Sequence, residues 1–206
     1  MNTIKTILLA TTGLLASLTA SAQTFKEPVA FKLKNEMNII VSENNRSAKA
    51  YASFTLDAKQ FQDKKDGVVE LLNAVLNENA AKNSNTSFKD NSGKLATENA
   101  SFDKDLTAMA KLIKNATIDQ KTFDAAKARL LTSLMAQDYD YDQTVNEKSI
   151  NALTLADVSG FYAQISPEKT YLTIAGDINL SAAKASAEKA FENWDATYDE
   201  EKNTAK

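Results

Sequence analysis

Apolar and polar residues alternate over residues 29–34, and this predicts a strand closed by a turn at Asn35-Glu36. Met37 to Ser42 (Met-Asn-Ile-Ile-Val-Ser) predicts a second strand, and Asn44-Asn45 a second turn. Ala48 to Leu56 predicts a third, with Tyr51, Ser53 and Thr55 alternating against Ala52, Phe54 and Leu56. Three strands at such short spacing suggest an antiparallel meander. The period then changes. Val68, Val69, Leu72, Val75 and Leu76 fall on one face of a helix. The polar stretch Asn77 to Ser92 reads as a loop, and Lys94 to Phe102 as a further strand.

Leu106, Met109, Ala110 and Ile113 mark another helix, which Asn115-Ala116 ends. Thr117-Ile118-Asp119-Gln120 resembles a capping box opening the next helix, which carries Phe123, Leu130, Leu131, Leu134 and Met135. Thr154-Leu155-Ala156-Asp157 caps a short helix ending near Tyr162, and Ser166-Pro167 makes a turn. Thr170 to Ala175 predicts a strand, stopped at Gly176-Asp177. Ser181 is the expected cap of a final helix whose inward face is Ala187, Ala190, Phe191 and Trp194. The mixture predicts an α+β fold with a mixed, largely antiparallel sheet and helices packed on one face.

The N-terminal pattern is of another kind. Met1 to Ala22 reads as a secretory signal peptide, with Lys5 as its positive end and Ile7 to Leu18 as an apolar core too short to span a bilayer comfortably. Ala20-Ser21-Ala22 supplies the small residues that a signal peptidase reads, so cleavage is expected between Ala22 and Gln23. The expectation is an exported protein, periplasmic or secreted, with no transmembrane anchor after cleavage. Residues 23–206 then form one domain, with a frayed polar tail over about 196–206.

Composition removes most catalytic chemistry. The 206 residues include no Cys and no His, so thiol nucleophiles, imidazole bases and imidazole metal ligands are absent. Lys plus Arg total 24 against 27 Asp plus Glu, a formal charge of −3, and only Arg46 and Arg129 could grip phosphate bidentately. Nucleic-acid binding is not expected. Ser-x-x-Lys occurs at Ser101, Ser166, Ser181 and Ser186, as chance allows in a chain this rich in both residues. The motifs that accompany it in penicillin-binding enzymes are missing. Asp138-Tyr139-Asp140-Tyr141-Asp142 starts like a calcium loop but lacks Gly at the sixth position and has Ser149 at the twelfth. It reads as an acidic loop whose Tyr139 and Tyr141 could form a recognition surface.

The order of pieces resembles the insulinase-type metallopeptidases, the group that includes pitrilysin and the mitochondrial processing peptidases. Phe31-Lys-Leu-Lys-Asn-Glu-Met-Asn-Ile-Ile-Val-Ser-Glu-Asn44 is similar to the opening of those domains. Leu153-Thr-Leu-Ala-Asp-Val-Ser-Gly-Phe-Tyr162, Ser166-Pro-Glu-Lys169 and Leu172-Thr-Ile-Ala-Gly-Asp177 are similar to their closing run. Phe123-Asp-x-x-Lys127 resembles the middle helix and Phe191-x-x-Trp194 the last one.

The departures are as informative. The resemblance implies zinc held by an inverted H-x-x-E-H motif whose Glu activates water. Here Gly67-Val-Val leads into Glu70-Leu71-Leu72-Asn73-Ala74. Glu70 and Ala74 stand at the two ligand positions and Asn73 at that of the base. The further carboxylate ligand that the resemblance implies would fall near Thr132 or Ser133, where none exists. No metal and no cofactor are expected. Glu70 and Asn73 could line a polar groove, or Glu70 could simply be solvated. The resemblance further implies domains that work in pairs. It therefore suggests a non-catalytic, protein- or peptide-binding domain, whose partner is a catalytic insulinase-type subunit or a second copy, with an extended peptide added at a sheet edge. Two alternatives stay open: a hydrolase using Ser-Lys or carboxylate chemistry, and a solitary envelope structural domain.

Overall fold

The computed structural model describes residues 26–61, 63–80, 84–136 and 144–194. Six strands form one sheet: β1 Val29–Lys32, β2 Asn38–Glu43, β3 Lys49–Leu56, β4 Thr86–Lys89, β5 Ser92–Glu98 and β6 Thr170–Gly176. The helices are α1 Val68–Asn79, α2 Phe102–Lys114, α3 Gln120–Ala136, α4 Glu147–Ala152, α5 Leu155–Tyr162 and α6 Leu180–Phe191.

The sheet order is β1-β2-β6-β3-β5-β4, with every pair antiparallel except β2–β6. The predicted meander therefore breaks after its first hairpin. β6, more than a hundred residues later, inserts between β2 and β3. Alternation specifies which face of a strand is buried but not which strand lies beside it. Ile39 and Val41 of β2, Leu172 and Ile174 of β6, Ala52 and Phe54 of β3 and Leu95 of β5 point to the same face and are buried under the helices. The expected α+β class, with a largely antiparallel sheet and helices on one face, is the observed one.

Four local expectations are corrected. The supposed loop 77–92 contains the end of α1 and the whole of β4, a short edge strand with one inward aromatic, Phe88. The strand placed at 94–102 is β5, ending at Glu98; Phe102 is instead the first residue of α2. Asn179, not Ser181, caps α6, its side chain accepting from the Ala182 amide. Asp119, not Thr117, accepts from Thr122 N–H at the start of α3. In both cases a residue two positions from the expected one has its side-chain oxygen on the free amides of the first turn. The short helix α4, whose capping box pairs Asn146 with Ser149, carried too little periodicity to be predicted.

The family-like motifs are structural fastenings. Tyr162 donates to Ile113 O and accepts from Ala116 N–H, binding α5 to the α2–α3 junction. Lys127 donates to the carbonyls of Asn151 and Leu153 at the end of α4. Asn35, in the β1–β2 turn, donates to Phe191 O and Trp194 O at the end of α6. There Phe191 and Trp194 pack around Phe54 with ring centroids 6.0–6.3 Å apart.

Candidate functional site

The positions singled out on α1 lie beside the β4 edge. Gly67 opens the helix at φ +82°, where a Cβ would come 2.5 Å from Ile150 Cδ1, so α4 packs directly against this turn. Val68, Val69, Leu72, Val75 and Leu76 are buried, as the predicted core face requires, and Leu71 is buried beside them. Glu70 and Ala74 are half-buried on its flank. Glu70 is thus only partly solvated.

Asn73 is buried, and its amide donates to Asp90 O at 2.6 Å. One turn along, Asn77 both donates to Phe88 O and accepts from Phe88 N–H, each at 2.9 Å. Phe88 pairs with Gly93 through a position whose backbone groups face away from β5, so the Asn77 side chain stands where a further strand would pair. Thr86 N–H is likewise taken, by Ser84 Oγ. The β4 edge is thus sealed by side chains. A peptide adding to this sheet could not use it without displacing Asn77.

Chemically, the α1 site has one half-buried carboxylate and an amide already engaged. Among the described residues no three carboxylates converge in a geometry that could hold a metal. Thr132 and Ser133, at the position implied for a further ligand, are exposed on α3. Nearby, Glu78 pairs ionically with Arg129 at 2.9 Å, holding α1 against α3. Three of the four Ser-x-x-Lys lysines are engaged elsewhere. Lys169 lies over the Phe61 ring, Lys184 over Phe31, and Lys189 is ion-paired with Asp103, while Ser166 Oγ is buried without a partner. The tyrosines proposed for recognition, Tyr139 and Tyr141, lie outside the described residues, as do the segments read as a signal peptide and as a polar tail.

The second notable surface is the helix-free face of the sheet. Here β1, β2 and β6 form an open trough of about 460 Å³ lined by Ala30, Lys32, Asn38, Ile40 and Tyr171. Tyr51 stands out from β3 at 42% exposure, the most exposed aromatic of the described strands. A row of hydroxyls, Ser53, Thr55 and Ser92, crosses the centre at 3.4 Å spacings. Sequence reasoning missed this surface, although the outward residues of each strand were legible in the alternation.

No family model and no curated protein matches the sequence. Solved structures do match the fold. A protease from Helicobacter pylori aligns with TM-score 0.69 at 16% identity, covering 84% of this chain and 52% of that one. The first half of the periplasmic protease PqqL from Escherichia coli aligns at TM-score 0.68 and 10% identity, covering 84% and 47%. An inactive domain of a peptidase M16 from Pseudomonas fluorescens aligns at 0.65 and 17% identity, covering 84% and 52%. The chain spans about half the length of these structures.

Proposed function

We propose that this chain, whose fold is that of an insulinase-type (M16) peptidase half-domain, is an exported, non-catalytic member of a paired assembly. One observation carries the reading. At the place where the resemblance implies a water-activating Glu, Asn73 has its amide committed to Asp90 O, and the neighbouring positions hold Glu70 and Ala74. A neutral amide donating a hydrogen bond to a carbonyl cannot take a proton from water. The site stitches α1 to the β4 hairpin instead of doing chemistry.

The partner is a protein: a catalytic insulinase-type subunit or a second copy of this chain. The likeness of its fold to one half of larger peptidases supports a role as one unit among several. An extended peptide would have to use the β1 edge, where Ala30 and Lys32 have no backbone partner on the outward side among the described residues. Among the described residues no helix is long and apolar enough to cross a membrane. Export rests on the N-terminal sequence.

The test is direct. The purified chain should neither bind zinc by calorimetry nor cleave unstructured peptides, yet should co-purify with an envelope peptidase subunit or with itself. Cleavage by the chain alone, abolished by a Ser or carboxylate substitution, would move the reading to the hydrolase alternative. A strict monomer that captures no partner would leave a solitary structural domain.

A further inference from the structure

The helix-free face of the sheet has a charge opposite to that of the whole molecule. Register places Lys32, Lys49, Lys89 and Lys94 outward on this face, against a single outward carboxylate on the strands, Glu98. The chain as a whole is −3. Lys32 is neutralised by Glu36 at 2.8 Å. Lys49 lies directly opposite Glu98, whereas Lys89 and Lys94 have no carboxylate within 4.0 Å among the described residues, and both are exposed. Lys94 lies opposite Ser87 and Ser92 opposite Lys89, so Lys89 and Lys94 are diagonal neighbours across the β4–β5 hairpin. Like charges so placed repel, and an approaching carboxylate relieves that repulsion.

We infer that this face docks an acidic polypeptide segment of a partner protein. The Lys89–Lys94 pair receives its carboxylates, and the trough beside Ile40 and Tyr171 receives an apolar or aromatic side chain. The inference rests on the partner-binding reading above. The surface suits a polypeptide better than other polyanions. Its centre is the hydroxyl row Ser53, Thr55 and Ser92, which offers hydrogen bonds to peptide groups. It has no arginine among its outward strand positions to clamp phosphate.

The test uses the full chain and a fluorescent probe peptide of about twelve residues alternating Glu and Tyr, with a Gln-Tyr peptide as control. The acidic probe should bind at least about tenfold tighter than the control at about 50 mM salt and lose most of that preference at about 300 mM. Lys89→Glu with Lys94→Glu should abolish the preference, and Lys89→Gln with Lys94→Gln should weaken it. Lys104→Glu with Lys111→Glu, on α2, should leave it unchanged. Circular dichroism checks that each variant is folded. Equal binding by wild type and the β-hairpin variants overturns the inference. So does tighter binding to anionic lipid vesicles than to the probe, or lysine-dependent doubling of mass, which would make a second copy the occupant. So does a gain in probe binding when Asp199, Glu200 and Glu201 are changed to Gln, which would make the chain's own acidic segment the occupant. A partner that co-purifies equally with the wild type and with the Lys89/Lys94 variant defeats this surface but leaves the partner reading intact. Absence of any partner with either chain defeats that reading itself.

Discussion

Asn77 offers the sharpest single-residue measurement. Its amide replaces a strand at Phe88, so Asn77→Ala removes two hydrogen bonds and should cost about 1–2 kcal/mol in denaturant unfolding. The Phe88 amide should exchange faster, and the opened edge should make the chain associate at high concentration. Asn73→Glu tests the neighbouring position. It would press a carboxylate against the Asp90 carbonyl in a buried setting, and should lower stability by about 1–3 kcal/mol without creating activity. Asp157 supplies the acid dependence. The Lys65 ammonium, with the Thr154 N–H and hydroxyl, draws its carboxyl down from 3.8 to about 2. A depressed carboxyl favours the folded state above its unfolded pKa, and this contribution is lost as pH falls from 3.8 toward about 2. Asp157→Asn should lose that part of the acid-unfolding profile in circular dichroism, with a modest loss at neutral pH because Lys65 is exposed.

At the scale of elements, two glycines that look alike in sequence should behave oppositely. Gly67 joins α4 to the start of α1 at φ +82° with Ile150 against it, so Gly67→Ala should destabilise by about 1–3 kcal/mol. Gly160 lies inside α5 with nothing near an added Cβ, and Gly160→Ala should stabilise by about 0.5–1 kcal/mol by thermal melting. Helices with strong periodicity, α1 and α2, were legible because their apolar residues repeat on one face. β4 and α4 were not, since four and six residues carry too little pattern to stand out from a polar run. Caps were misplaced by two residues for a related reason. Ser, Thr, Asn and Asp all qualify as caps, and the backbone geometry selects among them. Ser181 lost to Asn179 on that basis.

For the whole molecule, the lack of His and the presence of Glu70, Asn73 and Ala74 at the positions the resemblance singles out are read from the sequence by itself. The alternation of apolar residues specified which strand faces enter the core, and the closing run was legible as helix, turn and strand. The position of β6 was not, because a strand's side chains define its faces while its neighbours depend on which pairing buries the most apolar surface. Ile174 between Val41 and Ala52 is an outcome of global packing. The same holds at the site. Sequence alone could say that Asn73 is no base, because an amide has no proton affinity to use. Only the tertiary structure could show that Asn77 covers the β4 edge and Asn73 the turn after it, because that edge is brought to α1 by the hairpin that follows it. Likewise the lysines are scattered along the chain, and only the sheet register gathers them on one face.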